Sequence, residues 1–304
     1  MLVAGISSFI MDLAIWEKAL LLACSFMFFW FLESLIPLLR LKYKRIRHAG
    51  INLFFIITNI IVSLPIAFLA VHLSEWTTKH QMGVLHVSAL PSWIYVVGGL
   101  VMLDFLAGYL PHYVQHKVKW MWKFHLVHHT DTEVDTSTAN RHHPGETVLS
   151  MLFLLPAIVI TGAPAWLIIV YQLIATAFGQ FIHANISLPR RIDAVISWIF
   201  ISPNMHKVHH HQTQPLTDTN YGNIFSIWDR LFKTFVKSDI ANLKYGIDTH
   251  PHEEEHNSMS KLMALPFTEY RPATTSIVDS NNSTPVIITR PLTKIIRTRI
   301  PSQV

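Results

Sequence analysis

Histidines at helical spacing are the residues of this chain that could carry out chemistry. The segment HLVHH places His125, His128 and His129 at positions i, i+3 and i+4, and a second segment, HKVHH at 206–210, repeats the pattern. Residues at these spacings lie towards one face of a helix. The repeat therefore predicts two helices that each present a face of imidazoles and together surround a pair of metal ions.

Another pair of histidines extends this pattern. His112 and His116 are four residues apart, which again places them on one helical face. A single histidine in such a sequence is most often an ordinary residue at a membrane interface. Several clusters with the same spacing favour metal binding instead, because buried imidazoles repel one another when protonated, whereas a metal keeps them neutral.

His183 stands alone in the segment QFIHAN. Small or polar residues precede it at helical spacing in an otherwise apolar stretch: Gln172, Thr176, Gly179 and Gln180. A stripe of this kind usually faces a cavity or the interior of a helix bundle. The stripe favours His183 as a metal ligand over an isolated intramembrane histidine.

The type of donor atom limits the choice of metal but does not select one metal. Imidazole nitrogen suits iron, zinc or copper, whereas calcium and magnesium prefer oxygen. A zinc site seldom needs more than about four protein ligands, and the histidines here suffice for two metals. The single cysteine, Cys24, excludes an internal disulfide and an iron–sulfur cluster. Iron and zinc both stay compatible with the residues alone.

The composition is that of an integral membrane protein, because 51% of the residues are hydrophobic and 14% are charged. A helix of about 20 apolar residues crosses a bilayer. We therefore expect three full spans and, in a shorter pair that contains proline and glycine, either two thin spans or a hairpin. The first stretch is expected to be a retained span, since no cleavage signal accompanies it. The apolar stretches are Ala14–Leu39, Ile51–Leu73, Trp93–Leu110, Val148–Thr161 and Trp166–Ile182.

Basic residues in the short loops predict the orientation of these spans. The segment RLKYKRIRH at 40–48 is rich in arginine and lysine, whereas the loop at 74–92 offers only Lys79. The positive-inside rule places the first loop in the cytoplasm. Alternating spans then put every histidine cluster on the cytoplasmic face. The predicted fold class is an all-α integral membrane protein with a cytoplasmic, helical, histidine-rich cap that holds two metals.

Composition also divides the chain into parts. Residues 1–90 are expected to form N-terminal membrane spans and residues 91–240 a catalytic region. Beyond Trp228 the sequence turns polar, as in HPHEEEHNSMS at 250–260, so residues 241–304 are expected to form a flexible cytoplasmic tail. The net charge is +5 and no long basic stretch occurs, which argues against a nucleic acid partner.

Residues 104–235 resemble the fatty acid hydroxylase/sterol desaturase superfamily of membrane di-iron oxygenases. Acyl desaturases and alkane hydroxylases also use histidine boxes, but their first two boxes usually lie farther apart than His116 and His125, which are nine positions apart here. The short gap favours the hydroxylase/sterol desaturase branch. The motifs that carry the resemblance are DFLAGYLPHYVQH, HLVHH, RHHPGE, FIHANISLP, SPNMHKVHH, TNYGN and WDRLFKTF.

The resemblance implies two non-haem irons that activate dioxygen to hydroxylate or desaturate a lipid C–H bond. The substrate would be a membrane lipid such as a fatty acyl, sterol or alkyl lipid. The metal ligands that it implies are His112, His116, His125, His128, His129, His183, His206, His209 and His210.

Other polar residues are expected to support these ligands. Asp104 lies eight residues before His112, about two helical turns along the same face, so it could accept the outer N–H of a ligand histidine. Asn220 is expected to shape a turn near the metals. Three histidines lie outside the ligand set, and the sequence leaves two alternatives for each: a supporting role beside the ligands or ordinary exposure. They are His142, His143 and His211.

The electrons are expected to come from outside the chain. HHPGE resembles the His-Pro-Gly-Gly loop of cytochrome b5, but glutamate replaces the last glycine and no small soluble domain surrounds it. A separate donor of the cytochrome b5 or ferredoxin type is therefore expected. A bacterial inner membrane is favoured over the endoplasmic reticulum, because no retrieval signal is evident. The alternatives are a zinc-dependent membrane hydrolase and a non-catalytic metal-binding or transport protein.

Overall fold

The computed structural model describes residues 2–240 and 243–273. Within these residues the secondary structure is helical apart from isolated β-bridges, so the prediction of an all-α fold is confirmed there. The α-helices are α1 Leu2–Asp12, α2 Ile15–Leu35, α3 Arg45–Lys79, α4 Ser92–Asp104, α5 Leu110–Lys117, α6 Lys119–His129, α7 Pro144–Thr161, α8 Ala165–His183, α9 Arg190–Ile199, α10 Pro203–His209, α11 Ile227–Leu231, α12 Glu253–His256 and α13 Met259–Ala264. A π-helical turn, Phe105–Tyr109, joins α4 to α5, and the 3-10 turns are Val84–His86, Thr136–Asn140, Leu216–Asp218 and Leu265–Phe267.

Five helical segments of the described residues are long and apolar enough to cross a membrane, which supports an integral membrane protein. The last two contain 18 and 19 residues. At a rise of about 1.5 Å per residue they are roughly 27 to 29 Å long, close to the hydrocarbon thickness of a bilayer. That length fits two thin spans, one of the two predicted arrangements. The segments are Ile15–Leu35, Arg45–His86, Ser92–Lys117, Pro144–Thr161 and Ala165–His183.

The segments that join these helices form a cap at one end of the bundle. Near the end of α2, the Glu33 carboxylate accepts hydrogen bonds from the backbone N–H groups of Thr136 and Asn185, at 2.6 and 2.7 Å. In the first turn of α3, His48 lies 2.8 Å from a carboxylate oxygen of Asp131. The N-terminal helices α2 and α3 thus anchor the cap to the membrane helices. All histidine clusters lie at this end, and its cytoplasmic placement stays a prediction.

Apolar side chains of α3, α4, α7 and α8 form the main core of the bundle. Leu103, Ile158 and Leu167 are fully buried there. At the end away from the cap, Gly162 terminates α7 with a φ of +69°, and the carbonyl oxygen of Met82 lies 2.0 Å from the position of a Cβ. Only glycine fits that close approach, so this turn fixes how α7 returns into α8.

The π-helical turn lies where Pro111 interrupts the third membrane segment. Proline has no N–H to donate to the carbonyl four residues earlier, and its ring would crowd that turn of an α-helix. The chain widens locally instead, and the Leu110 N–H bonds to the carbonyl of Phe105. Such turns often occur at functional sites. The widened turn immediately precedes the helix that carries His112 and His116.

The predicted flexible tail begins with folded residues. Leu262 is fully buried, and with Leu265 it packs in an apolar cluster against Phe55 of α3 and Val127 of α6. Arg141 donates a hydrogen bond of 2.6 Å to the carbonyl of His256. The polar composition concealed these few apolar anchors, so the expectation of a flexible tail is wrong for residues 243–273. Residues 274–304, the rest of the predicted tail, lie outside the described residues.

Candidate metal centre

The nine predicted ligands gather into two adjoining groups at the cap. Within each group the candidate ligand nitrogens lie within 4.8 Å of one another. The rings of His129 and His210, one from each group, are 4.8 Å apart. The five-histidine group contains His112, His116, His125, His129 and His209, and the four-histidine group contains His128, His183, His206 and His210.

Each repeated motif is divided between the two groups. In HLVHH, His125 and His129 enter the five-histidine group, and His128 enters the four-histidine group. HKVHH does the reverse, because its middle histidine, His209, enters the five-histidine group and the other two enter the four-histidine group. Neighbouring positions on a helix diverge by about 100°. The interpretation of each motif as one shared face is therefore corrected to two faces that serve different groups.

The tautomers of two histidines in the five-histidine group follow from their outer nitrogens. His112 Nδ1 lies 2.7 Å from the carbonyl oxygen of Tyr221, and His209 Nδ1 lies 2.7 Å from that of Thr219. A carbonyl oxygen can only accept a hydrogen bond, so both Nδ1 atoms carry the proton and both Nε2 atoms carry an unprotonated lone pair. Those Nε2 atoms are 3.0 Å apart. Two facing lone pairs repel, and a shared cation removes the conflict.

The same argument applies to His183 in the four-histidine group. Its Nδ1 donates to the carbonyl oxygen of Gly179 at 2.7 Å, which leaves Nε2 as a lone pair. One lone pair accepts a single hydrogen bond, yet this Nε2 atom lies 3.0 to 3.1 Å from three other imidazole nitrogens, those of His128, His206 and His210. Nitrogens that converge on one point in this way match the ligands of a metal ion.

A buried nitrogen without a partner supports the same conclusion. Within the described residues, His116 Nε2 is buried and has no hydrogen-bond partner. An unpaired buried polar atom is costly, and a bound metal would satisfy it. The donor set, the converging nitrogens and this unpaired atom therefore fit a pair of metal ions that prefer nitrogen ligands.

The electrostatics of the cap keep the imidazoles neutral. Burial, followed by the neighbouring imidazoles, lowers the pKa of His128, His129, His206 and His210 well below the ordinary histidine range. Burial, with a further contribution from His125, lowers the pKa of His209 to about 3. Neutral imidazole is the form that binds metals, so these groups are ready to coordinate at neutral pH.

Glu146 is a site residue that the sequence interpretation missed. Its carboxylate lies 2.6 Å from His125 Nδ1 and 2.8 Å from His142 Nδ1, and these three residues form a third group of possible metal donors. A carboxylate on the outer nitrogen fixes the tautomer of a ligand histidine and increases its basicity. The signal was present in RHHPGE, because Glu146 is one helical turn after His142.

The three histidines left open by the sequence have different roles. The ring of His142 stacks on that of His128 with centroids 4.4 Å apart, so His142 borders the ligands. His143 caps helix α7 instead, because its Nδ1 accepts a hydrogen bond of 2.9 Å from the Gly145 N–H. His211 contacts Thr213, and neither His143 nor His211 belongs to a metal-binding group of the described residues.

The loop at 219–222 holds the five-histidine group from the outside. Asp229 accepts hydrogen bonds of 2.8 and 2.9 Å from the backbone N–H groups of Tyr221 and Gly222. Asn220, at a φ of +52°, donates to the carbonyl of Met205 at 2.8 Å. As predicted, Asn220 shapes a turn near the histidines. Asp229, which belongs to the motif WDRLFKTF, thus helps to position the loop whose carbonyl groups bond to the Nδ1 atoms of His112 and His209.

Asp104 does not contact a histidine, contrary to the expectation. Its carboxylate accepts hydrogen bonds from the backbone N–H groups of Ile224 and Phe225 and from the indole of Trp228, at 3.2, 3.1 and 2.9 Å. The helical spacing from His112 did not account for the π-helical turn between them, which changes the register of the two faces. Asp104 instead fixes the chain that follows the 219–222 loop.

Lys207 joins α10 to the end of α8 beneath the four-histidine group. It is fully buried, and its ammonium group donates to the carbonyl oxygens of His183 and Val134 at 2.5 and 3.3 Å. Burial lowers the pKa of Lys207 to about 8, although the Glu33 and Asp135 carboxylates oppose that shift. This contact holds the two helices that supply His183 and the second histidine motif.

Two adjoining cavities, which share six lining residues, lie beside the histidines. The histidine chamber has a volume of about 310 Å³ and is lined by ligands of both groups, including His112, His128 and His183. The membrane cavity has a volume of about 600 Å³ and lies among α3, α7 and α8. The residues common to both linings are Ala107, His142, Glu146, Ser150, Gln172 and Thr176. As the sequence predicted, most of the stripe faces a cavity, although Gln180 bonds to the carbonyl of Leu22 instead.

Two such imidazole groups in a helical membrane protein are typical of histidine-rich membrane metalloproteins, and comparison with known proteins indicates a family. Residues 96–234 match the sequence profile of the family described as fatty acid hydroxylase. This region lies within residues 91–240, the predicted catalytic region. This match and the curated relatives described below support the fatty acid hydroxylase/sterol desaturase superfamily for this region, as its motifs indicated.

Several curated proteins are similar to the same region. The ornithine lipid hydroxylase OlsE of Rhizobium tropici is 28% identical over 140 residues, which cover 46% of this chain and 41% of that protein. Alkylglycerol monooxygenases of Caenorhabditis elegans and Xenopus tropicalis are 29% and 30% identical, over 47% and 46% of this chain and 27% and 30% of their own lengths. The chain thus spans about a quarter to two fifths of these relatives. No solved structure matches the chain significantly.

Proposed function

We propose that this chain is a membrane-bound, dioxygen-dependent di-iron enzyme that hydroxylates a lipid. One observation carries the proposal: two adjoining groups of imidazoles border a chamber that shares six lining residues with a largely apolar cavity between membrane helices. A lipid chain in that cavity could reach the chamber without leaving the membrane. The family match and the lipid-hydroxylating relatives support this reaction over other uses of a metal pair.

Two non-haem irons, held by the nine histidines, would supply the activation of dioxygen. In the overall reaction one oxygen atom is inserted into a lipid C–H bond and the other leaves as water, with protons and electrons supplied from outside. A separate protein of the cytochrome b5 or ferredoxin type would supply the electrons. Removal of two hydrogens to give an alkene is the alternative outcome at the same centre.

The residues of the chain orient the donors and exclude water. Carbonyl groups of Tyr221, Thr219 and Gly179 and the Glu146 carboxylate hold outer imidazole nitrogens, so the inner lone pairs point towards the metals. The apolar lining of the membrane cavity keeps the reacting carbon away from bulk water. We place this centre at the cytoplasmic face, with residues 1–90 as a membrane platform for the catalytic region at 91–240, and favour a bacterial inner membrane.

The rival functions account for fewer of these features. A zinc hydrolase fits the donor type, but a catalytic zinc needs only about three protein ligands. A transporter is expected to place its sites near the bilayer midplane along a path, whereas both groups lie at one end of the bundle. A fatty acyl, sterol or alkyl lipid stays the expected substrate.

The proposal is tested by growing cells with and without the gene under isotopically labelled dioxygen and comparing their lipids by mass spectrometry. We expect lipids that have gained one labelled oxygen atom only when the gene is present. His206→Ala, which removes a member of the four-histidine group, serves as the inactive control. A product that carries oxygen from water would indicate hydrolysis or hydration and contradict the proposal.

A further inference from the structure

Gln172 lies at the junction of the histidine chamber and the membrane cavity, and it lines both. Two of its neighbours at this junction have partners: Ser150 accepts a hydrogen bond of 2.9 Å from Gln115, and the Thr176 hydroxyl donates to the backbone carbonyl of Gln172 at 2.8 Å. The Gln172 side-chain amide has no hydrogen-bond partner among the described residues. Gln172 and the Glu146 Oε2 atom, which is buried without a partner, are the polar groups of the described residues at this junction that are free to bind a ligand.

An unpaired amide is unusual in a membrane-spanning helix. Polar residues in membrane spans usually face a cavity and serve a function, and the Gln172 side chain is exposed where it lines both cavities. Ile169 and Leu173, which line the membrane cavity beside Gln172, are apolar, and the Thr176 hydroxyl, one turn closer to the cap, bonds to the helix backbone. The amide therefore favours a ligand that brings its own hydrogen-bonding group.

The shape of the membrane cavity gives the direction in which that ligand lies. Along α8 the lining extends from Thr176, near the histidines, to Ala165, at the end of the helix away from the cap. That distance is eleven residues, or about 16 Å of helix. Apolar residues such as Ala70 and Leu154 line the remote part. The cavity thus has room for an alkyl chain on the side away from the metals.

We propose that Gln172 binds the polar group of a single-chain lipid and so selects the carbon that is oxidised. The ligand class is a long alkyl chain that ends in a hydroxyl, amide, ether or ester group. The polar group lies at the chamber, the chain runs through the membrane cavity towards Ala165, and the reacting carbon is close to the polar group rather than at the methyl end. Gln172 is a specificity-determining residue. The inference rests on the proposed function only for the statement that this carbon is oxidised.

The orientation is tested first by photo-crosslinking, which requires no turnover. The full-length protein in membranes is exposed to hexadecanol that carries a diazirine either beside the hydroxyl or at the far end of the chain, and the labelled peptides are identified by mass spectrometry. We expect the first probe to label residues around Ala107 and Ala175 and the second to label residues around Ala70 and Ala165. The reverse pattern would overturn the proposal.

The role of the amide is tested with Gln172→Leu, which has a similar size and suits a membrane helix. Loss of one neutral hydrogen bond is expected to weaken hexadecanol binding about tenfold, measured as competition with the photoprobe, while competition by hexadecane is unchanged or improved. The control is Thr58→Val, because the Thr58 hydroxyl bonds to its own helix and lines neither cavity. Equal weakening by both variants, or none by Gln172→Leu, would contradict the proposal.

The outcomes separate this inference from the proposed function. If labelling follows the expected orientation but no labelled oxygen enters any lipid, the proposed oxidation fails and the lipid site stands. If oxidation occurs, tandem mass spectrometry of the product shows where the oxygen lies in the chain. Oxygen at the methyl end of the chain would overturn the inference even though the chain is a hydroxylase.

Discussion

The five-histidine group and the four-histidine group differ in how their imidazoles are held. In the five-histidine group, the outer nitrogens of His112, His125 and His209 each contact a carbonyl or carboxylate oxygen at 2.6 to 2.7 Å. In the four-histidine group only His183 has such a partner, and the outer nitrogens of the other three are buried without one in the described structure. Three of the five histidines in the first group are therefore fixed from outside, although His129 Nδ1 is also buried without a partner, and the four-histidine group is held mainly by its helices.

The two groups also differ in what they face. The histidine chamber is lined by three of the four histidines of the less supported group, His128, His183 and His206, and by two of the five in the other group, His112 and His125. Outer hydrogen bonds fix ligand orientation and strengthen metal binding. The difference suggests a division of labour, in which one metal is bound firmly and the other is more open to dioxygen and the lipid.

The largest expected effect comes from removing the middle histidine of either motif. Because the motifs are interleaved, His128→Ala should disrupt the four-histidine group and His209→Ala the five-histidine group. Each variant is expected to lose lipid oxidation completely and to retain about one of its two metal ions, as measured by elemental analysis. His125→Ala and His206→Ala are expected to be inactive as well, with membrane insertion preserved.

The control for these variants is His211→Ala, which changes a histidine next to the second motif but outside both groups. It is expected to keep both metals and its activity. Turnover that persists in His128→Ala or His209→Ala would contradict the interleaved arrangement.

Metal removal should distinguish the two groups next. A chelator is expected to extract the metal of the four-histidine group first, because that group has fewer ligands and fewer outer hydrogen bonds. The time course of metal loss should therefore have a fast and a slow phase of similar size. His128→Ala should lack the fast phase and keep the slow one. A single phase in the wild-type protein would show that the two groups do not differ in this way.

Glu146→Gln is expected to have a smaller effect, about a 10- to 100-fold loss of activity or metal affinity, as for other residues that support metal-bound histidines. Glutamine keeps an acceptor oxygen near His125 but loses the charge. Glu75→Gln, an exposed position of α3, is the matched control. In the chelation experiment, the slow loss of metal should become faster in Glu146→Gln, since Glu146 supports the five-histidine group. An unchanged slow phase would limit Glu146 to a role in stability.

Asp229→Asn should give the smallest effect, through the loop that supports His112 and His209. Burial raises the pKa of Asp229 from 3.8 to about 6. The folded state then holds a proton more readily than the unfolded state, so this residue's contribution to stability decreases as the pH rises from about 4 to about 6. The difference in unfolding free energy between the wild type and Asp229→Asn should change over that window. A pH-independent difference would mean that Asp229 does not titrate there.

The sequence predicted the chemistry of the site better than its internal organisation. Spacing on a helix identified eight of the histidines, the polar stripe and the family resemblance added His183, and apolar length identified most of the helices that position them. Spacing could not show that the histidines of a motif separate, because that depends on where the partner helices lie. Nor could it show that the π-helical turn before Pro111 moves Asp104 out of register, or that Leu262 anchors a polar segment. The separation of each motif and the Leu262 anchor depend on contacts between distant parts of the chain, and the π-helical turn depends on the local response of the helix to Pro111.

The central claim is tested most directly by counting the metals of the full-length protein purified without oxygen. The account predicts two iron ions per chain in the wild type, and one per chain in both His128→Ala and His209→Ala, because each motif contributes to both groups. One metal in the wild type, or loss of both from one of these variants with no loss from the other, would contradict the two interleaved groups.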